Sequence, residues 1–372
     1  MGTNALAAVQ REARAAPSLE QVQLEDPRDD EVLVRMVATG VCHTDMVMRD
    51  QLLPIPFPAV LGHEGAGVVE RVGAGVTGLA VGDHVVLSFA SCGGCEPCGA
   101  HEPAYCHSWF PLNFLGQRGD GTSGMTDASG ATVHDHIFGQ SSFASHALVN
   151  QRNVVKVPSD LPLEMLGPLG CGFQTGAGAI LNSLKVRSGA SVAVIGVGAV
   201  GLSSVMAAKI AGAATIVAID PNKKRLELAL DLGATHAYEP FDGGAMPVAT
   251  ASGLPLGFDY IVDTTGKDTV ANDAVMALAP RGELAIVGAF PPGAALTADA
   301  THILSGGRVI RGVVEGGADP QAFIPQLVEY WRAGQFPFDR LVEFFAFEDL
   351  ASAIEAGESG AVVKPIVRFD GQ

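Results

Sequence analysis

Up to about residue 160 the chain is a succession of short Val-rich runs, 31–37 and Gly65–Val72 among them, broken by Gly, Pro and Asp-containing turns. Short apolar runs between turn formers predict strands, here of irregular β structure. Beyond about residue 175 the pattern changes. Apolar runs at Ser191–Ile195, Thr215–Ile219, 260–263 and 283–287 alternate with helical stretches from Ala199 and from Pro221 up to Gly233. That alternation predicts βαβ units on a parallel sheet. Near the end, 321–333 and 347–356 read as helices and 362–369 as a final strand. No long linker, repeat or low-complexity segment separates the two regions.

Composition narrows the class. At 372 residues, 48% of them apolar and 17% charged, the chain has material for two domains with large cores. The formal charge of −17 argues against a nucleic-acid or anionic-membrane surface, which needs clustered Lys and Arg. Small molecules and further copies of the chain are the expected partners. The longest apolar run, 190–208, approaches the length of a membrane span, but it holds Gly196, Gly198 and Gly201 and is followed by Lys209. A buried strand leading into a helix is expected there. The first residues carry no basic stretch before an apolar one, and Leu6 stands where a myristoylation signal needs Ser or Thr. A cytoplasmic protein is therefore expected. In that compartment thiols stay reduced, and the six cysteines read as metal ligands or nucleophiles before they read as disulfides.

Candidate chemistry falls at three places. After Ser191–Ile195 comes Gly196-Val197-Gly198-Ala199-Val200-Gly201, then an apolar helix. The first glycine allows a tight turn, the second lets backbone approach a pyrophosphate, and Gly201 lets helix and strand pack closely. Asp220 closes the next strand 19 residues after Gly201, where a carboxylate can accept hydrogen bonds from an adenosine ribose. An NAD site with a preference for NAD⁺ over NADP⁺ is expected, softened by Lys223, Lys224 and Arg225.

Cys92, Cys95, Cys98 and Cys106 have the spacing C-x2-C-x2-C-x7-C. Four thiolates in tight turns make a closed cage suited to a structural Zn²⁺; an iron–sulfur cluster would have no electron-transfer partner in the surrounding motifs. His101 and His107 read as solvated loop residues. The remaining Cys42, Cys171 and His63 are, singly, as readily buried hydrophobes and a core histidine. Together they would make a Cys₂His set with a fourth position open, as a catalytic zinc requires.

With these motifs in this order and spacing, the chain resembles the zinc-containing medium-chain alcohol dehydrogenases along nearly its full length. The resemblance rests on Gly62-His63-Glu64, the four-cysteine lobe, the segment from Cys171 to Gly176, and Gly196–Gly201. It implies a GroES-like irregular β catalytic domain (1–175 and 315–372) and a Rossmann coenzyme domain with a doubly wound parallel sheet (176–314), an α/β protein overall. It further implies two Zn²⁺ per chain. Cys42, His63 and Cys171 would bind the catalytic one, with Glu64 nearby, Asp45 orienting His63, and Thr44 taking the alcohol proton. His43 and Lys364 would lie near the pyrophosphate, and Val200, Thr175 and Val287 along the nicotinamide. A homodimer or homotetramer is expected.

Within the family the chain looks most like NAD-dependent aryl-alcohol dehydrogenases and the related geraniol and perillyl alcohol enzymes. Cys42–Asp45, 87–89, 111–114, 138–143 and 167–171 point there. Phe89, Phe114, Ile137 and Phe138 are candidates for an apolar pocket. At Val47 the chain departs from the animal enzymes, which carry a proton-relaying histidine. Two other readings are less well matched: a glutathione-dependent formaldehyde dehydrogenase, which needs charged groups for its anionic adduct, and a Cys₄ zinc-ribbon binding protein.

Overall fold

Residues 2–240 and 243–369 are described by a computed structural model. Its two units are Met1–Cys171, Asp319–Gln326 and Asp339–Gln372, and Gly172–Ala318 with Leu327–Phe338.

In the second unit the apolar runs pair as the alternation predicts. Six strands lie in the order His236–Tyr238, Thr215–Ile219, Ser191–Ile195, Phe258–Asp263, Leu278–Ile286, Val309–Gly312, all parallel. Chain order reverses direction between Ser191–Ile195 and Phe258–Asp263, the switch point where open sheets of this kind bind ligands. The 190–208 run divides here into that central strand and the helix Ala199–Ile210. Among the described residues no helix is long and apolar enough to cross a membrane. Gly196, with φ of +83°, makes the turn between strand and helix. A Cβ on Gly201 would lie 1.9 Å from the Gly196 carbonyl oxygen, so helix and turn meet only because no side chain intervenes. The helix Lys223–Leu232 is capped by Asn222, whose side chain accepts from the Lys224 and Arg225 amides, and it stops at Gly233.

The expected boundaries at 175 and 315 differ from the observed ones, most clearly at 327–338, which belongs to the second unit. Aromatic packing explains this: Phe173 and Phe338 lie 5.4 Å apart, and Trp331 and Phe336 also pack on Phe338.

The first unit is built from two sheets. One is five-stranded and runs Ala59–Val60, Thr3–Gln10, Ser18–Leu24, Met125–Asp127, Thr132–Val133. The other centres on Glu31–Gly40, flanked by Gly65–Val72 and by Lys364–Arg368, which brings the final strand beside the first residues of the candidate site.

A buried ionic network ties the start of that central strand to the segment 135–143. Arg118 donates from Nε and Nη2 to Glu31, at 2.6 and 3.1 Å, and His136 donates from Nδ1 to Asp135 at 2.7 Å. Its other ring nitrogen faces Glu31 at 3.8 Å. Burial opposes the His136 charge, but Asp135 more than offsets this and raises the pKa to about 9. Below about pH 6.5 both folded and unfolded chains carry this proton, so its stabilisation is fully present. Between about 6.5 and 9 the folded chain keeps a proton that the unfolded chain has lost, so stability falls as pH rises, by at most about 3 kcal/mol. Thermal unfolding at pH 6.5 and 9.5 should therefore show a smaller decrease for His136→Gln than for the wild type; equal decreases would contradict the assignment.

Candidate active site

Cys42 occupies the N-cap of the helix His43–Arg49, and Asp45 stands three residues on. One Asp45 oxygen accepts the Cys42 amide at 3.2 Å. The other accepts the Gly62 amide at 3.0 Å and His63 Nδ1 at 2.8 Å. A fully buried carboxylate with three donors thus joins the two segments and directs His63. With Nδ1–H committed to Asp45, the His63 Nε2 lone pair is available as a ligand, and this buried atom has no hydrogen-bond partner among the described residues. Cys42, His63 and Cys171 offer ligand atoms within 4.8 Å of one another. The donor set fits zinc: two soft sulfurs and one oriented imidazole, whose buried Nε2 is left for a metal. The hydrogen bond with Cys171 outweighs burial and pulls the Cys42 thiol well below its usual range, with the Lys364 charge acting in the same direction. Thiolate is the form a metal takes.

Glu64 is wholly buried beside this set, and Lys364 Nζ donates to both of its oxygens at 2.8 Å and to the Val41 carbonyl at 3.2 Å. Burial opposes the lysine's charge, but Glu64 more than offsets this, so Lys364 stays protonated. The Lys364 ammonium is thus held by Glu64, and an unpaired buried carboxylate at that point would be costly. Thr44, half-buried, and His43, exposed, occupy the first turn of the helix next to Cys42, and Val47 follows one turn on.

The four-cysteine lobe forms a separate cage in which Cys92, Cys95, Cys98 and Cys106 converge. The sulfurs of Cys95 and Cys98 are 3.5 Å apart, those of Cys95 and Cys106 3.9 Å, and those of Cys92 and Cys98 4.0 Å. Tetrahedral Zn–S bonds of about 2.3 Å place sulfurs about 3.8 Å apart, which these spacings match. Backbone amides of Cys92, His107 and Ser108 donate to the sulfurs. The His107 amide is the leading reason the Cys95 thiol is pulled down to about 6. His101 stays outside the cage and pairs with Asp319 at 3.1 Å.

In the second unit Asp220, buried at the end of its strand, accepts the Val197 and Asn222 amides at 2.8 Å each, so it braces the glycine turn. Over Gly198 the space is open: a Cβ there would find nothing closer than Arg225 Nη1 at 4.0 Å. Open backbone, a buried carboxylate and an adjacent guanidinium fit a dinucleotide. Val200 lies in the first turn of the following helix; Val287 donates its amide to Asp263 at 2.9 Å; Thr175 donates its hydroxyl to Glu315 at 3.4 Å.

Comparison with known proteins agrees with this geometry. Residues 28–159 match the profile for the alcohol dehydrogenase GroES-like domain, and 199–329 that for zinc-binding dehydrogenases. A geraniol dehydrogenase of Castellaniella defragrans is 46% identical over 367 residues, 98% of each chain. The chain belongs to the zinc-binding medium-chain alcohol dehydrogenases. Among solved structures of the family, an alcohol dehydrogenase zinc-binding domain protein from Burkholderia ambifaria superposes with a TM-score of 0.96 at 51% identity over the whole of both chains. The benzyl alcohol dehydrogenase of Acinetobacter calcoaceticus gives 0.94 at 45% identity over 99% of each.

In this alcohol dehydrogenase the candidate pocket residues Phe89, Phe114, Ile137 and Phe138 are all buried in one apolar cluster. Phe138 lies flat on the His63 ring, with centroids 4.4 Å apart and 21° between planes. Phe114 and Trp109 meet Phe138 edge-on, and Phe89 meets Trp109. Trp109 and Glu315 carry no sign of a role in the sequence, and Gln140 enters there only as part of 138–143, with no role of its own. A tryptophan at the start of the helix Trp109–Phe114 or a glutamine after a short turn carries no metal-ligand or phosphate-binding spacing, and their relation to the site comes only from tertiary contact.

Proposed function

We propose that this alcohol dehydrogenase oxidises primary benzylic or allylic alcohols to aldehydes with NAD⁺ as hydride acceptor, reversibly. The observation that carries the reading is the aromatic wall that starts on the ligand His63 at Phe138 and continues through Phe114, Trp109 and Phe89. Flat rings and conjugated chains gain area and ring contacts against such a wall, at roughly 0.8 kcal/mol per buried methylene; ethanol has little to offer it. A terpenoid substrate, the second reading, is favoured by the relative named as a geraniol dehydrogenase.

Bound zinc would supply Lewis-acid polarisation of the alcohol oxygen, and bound NAD⁺ the hydride acceptor. Cys42, His63 and Cys171 would hold the catalytic zinc and the four-cysteine lobe a structural one. Asp45 keeps His63 in the ligating tautomer. Thr44, beside Cys42, takes the alcohol proton at its hydroxyl oxygen as its own proton moves on. Exposed His43 then passes protons to water, since Val47 has no titrating group. Asp220 and Arg225 would hold the adenosine end of NAD⁺ at the glycine turn, and Val200, Thr175 and Val287 would line the nicotinamide. The reading places the enzyme in the cytoplasm as a homodimer or homotetramer. Supporting the latter, Val309–Gly312 is an edge strand with Val309 exposed, and Leu304 on the preceding helix Ala300–Gly306 is exposed too, a surface that a second copy would cover.

Steady-state kcat/KM for benzyl alcohol, geraniol, perillyl alcohol and ethanol tests the reading. Benzylic or allylic alcohols should exceed ethanol by about 100-fold, and NAD⁺ should exceed NADP⁺ by at least about tenfold, because the Asp220 carboxylate repels a 2′-phosphate. Equal efficiency with ethanol would overturn the substrate class, and equal efficiency with NADP⁺ the cofactor choice.

A further inference from the structure

We propose that Phe138 and Gln140 are positioning residues that clamp the ligand His63, Phe138 holding the plane of the imidazole and Gln140 the main chain from which it projects. The inference rests on the reading that Cys42, His63 and Cys171 hold a zinc ion.

Asp45 fixes one atom of the His63 ring, Nδ1, but a single hydrogen bond leaves the ring free to tilt about that point. The Phe138 ring removes the tilt by covering one face. It is held there from behind by Phe114 and Trp109, whose ring centroids lie 5.1 and 6.1 Å away. To present its ring, Phe138 adopts φ of +50° and ψ of 30°, a left-handed conformation unfavourable for a residue with a bulky side chain. Ser141, three residues on, has φ of +46°. Such strain persists only where surrounding contacts impose it. Those contacts are present: the Ser141 hydroxyl accepts the Ile137 amide at 3.0 Å and donates to the Val60 carbonyl at 2.6 Å.

The same segment grips the backbone around His63. Gln140, fully buried, donates from Nε2 to the His63 carbonyl at 3.0 Å and accepts the Gly65 amide on Oε1 at 3.1 Å. The Ser142 amide donates to the Gly62 carbonyl at 2.8 Å. Residues 62, 63 and 65 are therefore held by one strained turn, which also stacks on the ligand ring. A purely space-filling loop would need neither the left-handed phenylalanine nor a buried amide that satisfies both neighbours of Glu64. The arrangement restrains the two freedoms of His63 that Asp45 leaves open, as partners of metal ligands commonly do.

The test is zinc release from the purified holoenzyme to a chromophoric chelator, comparing the wild type with Phe138→Leu, Gln140→Met and Phe347→Leu. Phe138→Leu and Gln140→Met should each speed the loss of one zinc per chain roughly tenfold or more while leaving release of the other unchanged. Phe347→Leu, which removes a buried ring from the same apolar cluster, one that packs on Phe369 and not on Phe138, should release zinc at the wild-type rate. If Phe138→Leu does not fold, Gln140→Met still reports on the clamp through the main chain alone. Cobalt-substituted Phe138→Leu should also show a shifted thiolate-to-metal absorption band. Wild-type release rates in both clamp variants, or equal acceleration in Phe347→Leu, would overturn the proposal. A wild type with alcohol turnover but one zinc per chain would instead overturn the metal reading on which it rests.

Discussion

His63→Ala should lower alcohol turnover by about 10³-fold or more and remove one zinc per chain, while leaving the protein folded. The substitution deletes the single nitrogen in the three-residue set and leaves Asp45 with one donor fewer, although the Cys42 and Gly62 amides still satisfy it. Two sulfurs alone offer a poor site for catalytic zinc, and the Lewis acid is lost with the ion. Cys98→Ser should behave in the opposite way. It opens the four-cysteine cage, where a bound metal would contribute folding free energy, so the melting temperature should fall more than the kcat of whatever folded enzyme remains. Metal content, melting temperature and kcat measured on both variants separate the two roles. If His63→Ala kept its turnover, or if both variants lost stability and activity alike, the division into an open and a closed centre would fail.

Thr44→Ala should cost between about 10²- and 10⁴-fold in kcat, the range for a lost proton-transfer group. Thr44 sits in the first turn of the helix that Cys42 caps, so its hydroxyl is adjacent in sequence to a ligand and close to where an alcohol oxygen would bind. Val47 offers no substitute for it. Thr44→Ser keeps the hydroxyl and should be mild, within a few-fold of the wild type, because only a methyl group is lost. A Thr44→Ala enzyme that retained most of its turnover, or a Thr44→Ser enzyme as slow as Thr44→Ala, would remove Thr44 from the proton path.

Much of this was legible because it rests on spacing and local conformation. The cage follows from cysteines close enough in sequence for tight turns to bring their sulfurs together. The coenzyme unit follows from apolar runs of strand length that lead into a glycine turn, and the φ of +83° at Gly196 is a requirement that glycine meets without strain. Cys42, His63 and Cys171 were identifiable only through resemblance, since 129 residues separate the first from the last and no local rule brings them together. The pairing of Lys364 with Glu64 leaves no sign in the sequence, because a lysine in a strand looks the same whether it faces a ligand or a buried carboxylate. The left-handed Phe138 left no trace at all, because phenylalanine is an unfavourable choice for that conformation and tertiary contacts impose it. The segment 327–338 went to the other unit for a similar reason: aromatic contacts with Phe173, remote in sequence, decide it.

The most direct test of the two-centre account is zinc analysis of the purified enzyme alongside its rate with benzyl alcohol and NAD⁺. The account predicts about two zincs per fully active chain. It also predicts that removing the more labile one abolishes turnover without unfolding the protein, and that adding zinc back restores it. Full activity at about one zinc per chain, or activity that survives loss of the labile metal, would contradict it.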